Sequence, residues 1–474
     1  MYAEFTHEEF LHDKPREECG VVGIFNQPEA ANMAYLSLYA QQHRGQEGAG
    51  IVSFDGTEFH AERDAGLVPD VFNHARLEKL PGGCALGHNR YSTAGGGGLK
   101  NIQPLIANSA LGTISMAHNG NLTNAEDLRN QLELDGAIFQ STMDSEVIIH
   151  LFARSREKTL SRRIIDSLMQ VKGGFSIIFL TAEGMVGVRD PHGIRPLSLG
   201  RFPGGGYVLA SETCAFDLIG ATFQRDVNPG EMITINGDGI SSCSPFPLTT
   251  GAFCIFEYVY FARVDSVMNG HAVWSVRKNQ GRQLARECPA DADMVIPVPD
   301  SGVATAMGYA EASGVPYEMG LIRNHYVGRT FIEPQSSIRH FGVKIKLNPI
   351  RELIDGKRVV VVDDSIVRGT TSRKIVELVK RAGAREVHMR IGSPPIVSPC
   401  FYGIDTPTRK ELIASSQQVE EIRQYLGADS LGYLSAEGLL ASSPKVGGGY
   451  CTACFTEQYP VNVVFDPPKQ RKLF

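Results

Sequence analysis

The chain has 474 residues, about three times the length typical of one domain, so two or three folding units are expected. Hydrophobic residues make up 42% of the sequence and charged residues 21%, which permits a sizeable core and excludes wholesale disorder. The net charge of −6 excludes a protein that uses its whole surface to bind nucleic acid or an anionic membrane.

The first 18 residues are acidic and lack an apolar centre, so they do not form a signal peptide. No later apolar run approaches the ~20 residues that span a bilayer. The nine cysteines are spread over a long chain, unlike those of a compact secreted disulfide framework. These features predict a cytoplasmic protein with neither a membrane nor a nucleic acid as partner, and they leave the acidic leader to be explained.

The sequence pattern changes along the chain. From Cys19 to about Ile240, short strand-like runs alternate with glycine-rich turns and a few helical patterns, which predicts mainly antiparallel sheets with packed helices. From about residue 271, helical stretches alternate with apolar strands, which predicts βαβ units and a parallel sheet. Residues 241–270 form a connector, although its FEYVYFAR core is too apolar for an exposed linker. The predicted divisions are 1–18, 19–240, 241–270 and 271–474.

Five polar, glycine-bearing motifs follow one another in the first half: EECGVVGIF, which contains Cys19, then QQHRGQEGAG, GHNRYSTAG, AHNGNLTN and TMDSE. One CG at a strand start means little, because a buried cysteine is usually a small hydrophobe. Together the motifs resemble the glutaminase domain of class II glutamine amidotransferases, in the N-terminal nucleophile superfamily. The resemblance implies an αββα sandwich of antiparallel sheets, with Cys19 as nucleophile and its α-amino group as base. Because that nitrogen is locked in the Glu18–Cys19 peptide bond, residues 1–18 are predicted to be a propeptide.

The other motif residues receive roles on chemical grounds. Arg90 and Arg44 are candidates for bidentate binding of the glutamine α-carboxylate, and Asp144 for pairing with the α-ammonium group. Asn119 and the backbone N–H of Gly120 are suited to an oxyanion hole, since a side-chain amide beside a flexible glycine aims two donors at one developing charge. HNG and RYST alone would equally fit tight turns, but the motifs occur as a set.

The string VVVVDDSIVRGTTS, Val359 to Ser372, is the strongest local signal. Its four valines predict a strand buried on both faces, so Asp363 and Asp364 fall at the carboxyl end of the strand, where open α/β sheets bind ligands. The loop and helix that follow are suited to a phosphate, and an acidic pair beside a phosphate requires sugar hydroxyls or magnesium between them. A solvated turn with a TTS helix cap is the alternative, but it does not account for the whole string.

This string resembles the phosphoribosyltransferases, which bind 5-phosphoribosyl pyrophosphate (PRPP) with such a loop and hold the pyrophosphate with a second loop, here VPDSGVATAMGYA. The resemblance implies a type I phosphoribosyltransferase domain, with a parallel sheet and flanking helices, and one Mg²⁺ per subunit at Ser301, Asp363 and Asp364. The PRPP-binding residues that it implies are Asp300, Ser301, Gly302, Asp363, Asp364, Ser365, Arg368, Gly369, Thr370 and Thr371.

The basic segment from Arg323 to Pro349 lies between these two loops. A charge-rich segment is by default a solvated surface. Because an anionic leaving group is expected nearby, the segment is instead predicted to be a lid that stabilises pyrophosphate and excludes water. Its proposed cationic residues are Arg329, Lys344 and Lys346.

Cys451 and Cys454 form a CxxC motif, with Cys400 and Cys254 upstream. Four dispersed thiolates suit a four-iron cluster and a structural zinc equally well, and spacing does not separate Cys254 from Cys243 as the fourth ligand. FEYVYFAR, SPP…CFYGID and CxACF together resemble the glutamine PRPP amidotransferase subgroup that carries a structural 4Fe–4S cluster. The resemblance implies one cluster per subunit, held by Cys254, Cys400, Cys451 and Cys454.

The resemblance extends from Cys19 to about Pro460. It implies a glutamine-dependent amidophosphoribosyltransferase that makes 5-phosphoribosylamine, glutamate and pyrophosphate from PRPP, glutamine and water, in the first committed step of purine synthesis. It also implies a homotetramer inhibited by purine nucleotides.

Two other functions fit parts of the sequence. A glutaminase that passes ammonia to another acceptor, such as an aspartyl adenylate or a sugar phosphate, is disfavoured by the VVVVDDSIVRGTTS loop. A nucleotide or PRPP sensor with an iron–sulfur redox switch and a dead catalytic site is disfavoured by the intact acidic pair and the complete motif set around Cys19.

Overall fold

The computed structural model describes residues 16–17, 19–91, 98–324, 347–406 and 408–463. The first half of the chain forms two antiparallel sheets, and the second half forms a parallel sheet. The predicted lid residues Arg329, Lys344 and Lys346 lie outside the described residues, as does nearly all of the predicted propeptide. In the described ranges, no helix is both long and apolar enough to cross a membrane.

The two antiparallel sheets have seven and six strands. In spatial order, the first contains Thr222–Asp226, Ser198–Arg201, Tyr207–Ala210, Cys19–Phe25, Cys84–Arg90, Gly48–Phe54 and Phe59–Ala65. The second contains Gly239–Cys243, Met232–Asn236, Gly184–Arg189, Gly173–Thr181, Gly112–Leu122 and Leu105–Ser109.

Strand alternation explains how these sheets form layers, because successive side chains point to opposite faces. In the strand Cys19–Phe25, Val21 packs between the two sheets. Val22 and Ile24 pack instead against the helix Ala30–Ala40. Helices also cover the outer face of the second sheet, which completes the predicted αββα sandwich. The helices of this half are Ala30–Ala40, Val68–Val71, His74–Leu77, Ala125–Leu134, Glu146–Arg154, Leu160–Leu168 and Cys214–Ile219, with a 3₁₀ turn at Leu99–Asn101.

The parallel sheet has four strands, in the order Met294–Pro297, Arg358–Asp363, Glu386–Ile391 and Ser430–Tyr433. Val360 and Val362 belong to one core and Val359 and Val361 to another, so this strand is buried on both faces, as predicted. The helices of this half are Val273–Glu287, Val303–Ser313, Arg351–Ile354, Thr370–Arg381, Val419–Leu426, Ala436–Ser442 and Ala453–Thr456, with 3₁₀ turns at Arg409–Glu411 and Ile413–Ser415.

The connector, residues 241–270, contributes secondary structure to both halves of the chain. The last strand of the sandwich, Gly239–Cys243, runs past the predicted boundary at residue 240. Glu257–Phe261 form a π-helix whose side chains are largely buried, in keeping with the apolar FEYVYFAR sequence. Four short pairs complete the fold: Arg16–Glu17 with Ile404–Asp405, Phe253–Cys254 with Tyr450–Cys451, Val267–Met268 with His271–Ala272, and Leu321–Arg323 with Leu347–Pro349.

Candidate active sites

Cys19 and Arg90 meet at one end of the first sheet. Cys19 begins its strand, and the antiparallel register pairs it directly with Arg90 at the end of the neighbouring strand. Both residues are buried. The Arg90 guanidinium donates a hydrogen bond to the backbone carbonyl of Asn101. The structure therefore brings together the predicted nucleophile and the predicted carboxylate-binding arginine.

Asn101, which lies outside the five motifs, links Arg90 to the TMDSE motif. Its side-chain amide donates to Thr142 Oγ1 at 2.9 Å, and the Thr142 N–H donates back to Asn101 Oδ1 at 3.1 Å. Asp144, two residues later, accepts the backbone N–H of Leu122 at 2.9 Å. Asp144 is thus anchored to the strand that carries Asn119, with its side chain still 14% exposed.

Asn119 and Gly120 lie in the strand Gly112–Leu122 of the second sheet. The Asn119 side chain is fully buried, and its Nδ2 donates to Ser211 Oγ at 3.3 Å. Gly120 has φ +139°, and a Cβ there would lie 2.0 Å from the Gly174 carbonyl oxygen. Only glycine satisfies both the backbone conformation and this close approach. The glycine of the HNG motif is therefore required on steric grounds as well as for the chemistry predicted above.

Two buried histidines stand beside these residues. His88 Nε2 lies 3.1 Å from the His118 carbonyl oxygen, and His118 Nδ1 lies 3.8 Å from Asp144 Oδ2. Burial lowers the pKa of His88 to about 3 and also lowers the pKa of His118, so both rings are neutral at neutral pH.

The acidic pair of the second site lies at the carboxyl edge of the parallel sheet. The strands Met294–Pro297 and Arg358–Asp363 run in the same direction, so the residues that follow each strand meet at that edge. Ser301 Oγ donates to Asp364 Oδ2, and the Asp364 N–H donates to Asp363 Oδ1 at 2.9 Å. Both carboxyl groups are buried. Carboxylate and hydroxyl oxygens are the donors that Mg²⁺ prefers, so this set fits the predicted ion.

The loop after the acidic pair leads into the helix Thr370–Arg381. Ser365 Oγ donates to Asp364 Oδ1 at 2.6 Å, and Gly369 takes a left-handed conformation, φ +79°, at the N-cap. Thr370 Oγ1 is buried and has no hydrogen-bond partner among the described residues. A helix N-terminus with an unsatisfied hydroxyl is an arrangement suited to an anion. Arg368 lies at the edge of this loop and donates to Glu411 at 2.7 Å.

The predicted pyrophosphate loop lies against the parallel sheet. A Cβ at Gly302 would lie 2.5 Å from the Val362 carbonyl oxygen, so glycine allows this close packing beside the acidic pair. Asp300 is half-exposed and pairs with Arg323, which begins the predicted lid. The predicted PRPP-binding residues therefore occupy one edge of the sheet.

The four predicted cluster cysteines converge on the core of the second half. Cys254 and Cys451 are direct partners in a short parallel strand pair. The Cys454 carbonyl accepts the backbone N–H groups of residues 397 and 398, which brings the segment that carries Cys400 alongside.

Burial raises the pKa of Cys254 and Cys454 well above the ordinary value and that of Cys451 to about 12. Negative charge on the other three sulfurs would raise the pKa of Cys454 further. Cys254 lies in one hydrophobic core, and Cys400, Cys451 and Cys454 pack against that core. Cys243, the alternative ligand, is exposed on the last strand of the sandwich. Across the described ranges, no group of three or more histidine, cysteine, aspartate or glutamate side chains could hold a metal ion.

The loop after Cys400 also contacts the first site. Asn121 Nδ2, from the HNGN sequence, donates to the Phe401 carbonyl oxygen at 2.9 Å. A Cβ at Gly403 would lie 2.9 Å from the Gly120 Cα, so the two backbones approach closely. The two halves of the chain therefore meet at the predicted oxyanion hole.

Comparisons with known proteins decide the family. A glutamine amidotransferase domain family matches residues 88–217, and a phosphoribosyl transferase domain family matches residues 277–391. Over 449 residues the chain is 53% identical to a chloroplastic amidophosphoribosyltransferase of Vigna aconitifolia, covering 95% of this chain and 92% of the relative. It is 52% identical over 455 residues to the amidophosphoribosyltransferase of Bacillus subtilis, with 95% of each covered. The chain belongs to the amidophosphoribosyltransferase family.

Solved structures agree with this family and confirm the predicted fold class. One, described as the allosteric regulatory enzyme of purine biosynthesis, has a TM-score of 0.91 and 51% identity, covering 94% of this chain and 97% of the other. Another is glutamine phosphoribosylpyrophosphate amidotransferase from B. subtilis complexed with ADP and GMP. It has a TM-score of 0.90 and 50% identity, covering 94% of this chain and 98% of the other.

In this member of the amidophosphoribosyltransferase family, Arg44 occupies a buried ion network, which we define as Arg44, Glu212, Glu257 and Arg195. Arg44 Nε donates to Glu212 and Arg44 Nη2 to Glu257 at 2.6 Å, and Arg195 Nη2 lies 3.1 Å from Glu257. Burial alone would lower the pKa of Arg44, but the two carboxylates raise it above its ordinary value. Arg44 thus joins the sandwich to the connector π-helix. Its contact with glutamine stays a prediction.

Proposed function

We propose that the protein makes 5-phosphoribosylamine, glutamate and pyrophosphate from PRPP, glutamine and water, the first committed step of purine synthesis. The observation that carries this proposal is the presence of two sites in one chain, on two domains that contact each other. One groups Cys19, Arg90 and Asn119, and the other is built on the acidic pair Asp363–Asp364. The Asn121–Phe401 hydrogen bond joins their two domains. Membership of the amidophosphoribosyltransferase family supports the same reaction.

In the first site, the Cys19 sulfur attacks the side-chain amide carbon of glutamine, and its α-amine takes the thiol proton and passes it to the leaving nitrogen. Asn119 and the Gly120 N–H bind the oxyanion of the tetrahedral intermediate. Arg90 holds the substrate α-carboxylate, and Asp144 holds the α-ammonium group. Collapse of the intermediate releases ammonia and leaves a thioester on Cys19, which water hydrolyses to glutamate.

The free α-amine requires cleavage before Cys19, so residues 1–18 are proposed to be a propeptide. Near the end of this propeptide, the strand Arg16–Glu17 pairs with Ile404–Asp405 of the second domain. This part of the propeptide therefore lies on that domain rather than in the sandwich. Mass spectrometry of fully active enzyme should show a chain that begins at Cys19. An active chain that retains Met1 to Glu18 would contradict the proposal.

In the second site, ammonia attacks C1 of the PRPP ribose and pyrophosphate leaves. The loop Ser365 to Thr371 holds the 5-phosphate, and Asp300, Ser301 and Gly302 lie beside the pyrophosphate. Ser301, Asp363 and Asp364 would hold Mg²⁺, which neutralises charge on the leaving pyrophosphate.

Two further parts complete the proposed reaction. The segment with Arg329, Lys344 and Lys346 is proposed to close over bound PRPP. Ammonia must reach C1 before it is protonated or lost, which favours an internal passage between the two sites.

We also propose a structural 4Fe–4S cluster held by Cys254, Cys400, Cys451 and Cys454. Cys254 lies in one buried core, Cys400, Cys451 and Cys454 pack against that core, and Cys254 pairs directly with Cys451. Four thiolates suit a four-iron cluster and a zinc ion equally well, and the resemblance of the flanking sequences favours the cluster. The cluster would tie the connector and the C-terminal segment to the second domain. Iron and sulfide in equal amounts, about four of each per chain, are expected, and stoichiometric zinc would contradict the assignment.

Regulation, assembly and location are further proposals. The B. subtilis relative was solved with ADP and GMP, which supports binding of purine nucleotides by this chain. A homotetramer follows from the family resemblance. All nine cysteines lie in the described ranges and none of them forms a disulfide, which supports a reducing, cytoplasmic location.

A phosphoribosylamine assay with each substrate omitted in turn tests the function. Product should form with PRPP plus glutamine or PRPP plus ammonium salt, and not without PRPP. Glutamate release without phosphoribosylamine would instead favour another ammonia acceptor.

A further inference from the structure

Ser211 lies at the junction of the two sheets, directly after the strand Tyr207–Ala210, and is fully buried. Its backbone N–H donates to the Val21 carbonyl at 3.1 Å, and its Oγ accepts the Val21 N–H at 3.1 Å. Val21 is two residues beyond Cys19 in the same strand. Ser211 is therefore bonded through both its backbone and its side chain to the strand that begins with the nucleophile.

The same hydroxyl also contacts the other sheet. Asn119 Nδ2 donates to Ser211 Oγ at 3.3 Å. Asn119 Oδ1 has no hydrogen-bond partner in the part of the chain that the structure describes, so the bond to Ser211 is the one that orients the amide. A side-chain amide is planar and carries two N–H donors, so holding one of them sets the direction of the other.

We infer that Ser211 is a positioning residue for the oxyanion hole, holding the Asn119 amide in register with Cys19. This inference rests on the proposed function, in which Asn119 donates to the developing oxyanion. Such a donor accelerates the reaction only if it already points to where the charge develops. Loss of the Ser211 hydroxyl should therefore lower kcat for glutamine cleavage while leaving KM for glutamine nearly unchanged.

Ser211 also accepts the Val21 N–H, so Ser211→Ala alone does not separate positioning from general support of the strand. A double-mutant cycle with Asn119→Ala does separate them. If Ser211 acts through the Asn119 amide, its substitution costs little once that amide is gone. If it acts through Val21, the cost is the same in both backgrounds.

The experiment measures glutamine hydrolysis by the processed full chain, with ammonia-dependent phosphoribosylamine synthesis as the check on folding. We expect kcat to fall roughly 10-fold in Ser211→Ala and about 100- to 1000-fold in Asn119→Ala. The double variant should lie within about 2-fold of Asn119→Ala. The control is Ser176→Ala, which should keep kcat. Ser176 is also a buried serine, and it pairs with Asn119 across the sheet, but its Oγ donates to the Arg195 carbonyl at 3.2 Å.

Unchanged kcat in Ser211→Ala, or an equal fold-loss in both backgrounds, overturns the inference and leaves the proposed function intact. Full glutaminase activity in Asn119→Ala would instead contradict the oxyanion assignment itself. If Ser211→Ala also loses ammonia-dependent synthesis, Ser211→Cys replaces it, because a thiol fills similar space but accepts hydrogen bonds weakly. Ser211→Cys should show the same kcat loss, and wild-type kcat in that variant overturns the inference.

Discussion

Replacing Glu257 with alanine perturbs the buried ion network at its centre. The Glu257 carboxylate is fully buried and faces Arg44 Nη2 at 2.6 Å and Arg195 Nη2 at 3.1 Å. Alanine removes one counter-charge from two buried guanidinium groups. Loss of one partner from a buried ion pair typically costs about 3–5 kcal/mol, because the remaining charge stays desolvated. The free energy of unfolding of Glu257→Ala should fall by that amount.

Urea unfolding followed by circular dichroism measures this change as a shift in the midpoint. The matched control is Glu420→Ala, which removes a carboxylate from an ion pair with Arg423; the Glu420 side chain is 63% exposed. An exposed pair contributes little, so the control should unfold with the wild type. If Glu257→Ala also unfolds at the wild-type midpoint, the network does not stabilise the junction.

Three other substitutions test separate parts of the account. Gly120→Ala would place a Cβ 2.0 Å from the Gly174 oxygen, so glutamine-dependent activity should fall at least ~100-fold; wild-type activity would show that the backbone there is not constrained. Asp364→Asn should lower phosphoribosylamine synthesis roughly 100-fold with either nitrogen source and spare glutamine hydrolysis; equal loss of hydrolysis would contradict separate sites. Glu146→Gln tests pH dependence. Burial opposes ionisation of Glu146, but the His150 ring, 3.6 Å away, and hydrogen bonds from Ser141 and Gln140 lower its pKa from 4.5 to about 2. The stability advantage of the wild type over Glu146→Gln should therefore be full above about pH 4.5 and shrink as the pH falls towards 2; a pH-independent difference in unfolding midpoint would contradict this.

The second site could be predicted from the sequence because its strand, its acidic pair and its loop follow one another between Val359 and Ser372. The four valines before Asp363 alternate between two cores because a strand in a covered parallel sheet is buried on both faces. The acidic pair then falls at the carboxyl edge by geometry alone. Cys19 and Arg90 were predicted to share a site through family resemblance, and the register pairs them directly.

Contacts between distant residues were not predictable in the same way. Asn119 and Ser211 are 92 residues apart, and Arg44 and Glu257 are 213 apart. No local periodicity relates residues at such separations, because only the packing of one sheet on another, or of the connector on the sandwich, brings them together. Arg44 illustrates the consequence. Its QHRG motif indicates a polar site, whereas its burial and its carboxylate partners depend on segments far along the chain.

In the proposed reaction, Cys19 releases ammonia for use at a separate PRPP site. The most direct measurement compares Cys19→Ala with the wild type in phosphoribosylamine synthesis, once with glutamine and once with ammonium salt. Cys19→Ala should lose synthesis from glutamine and retain synthesis from ammonium. Glutamine-dependent synthesis by Cys19→Ala, or loss of the ammonium-dependent reaction in a folded variant, would contradict the proposed reaction.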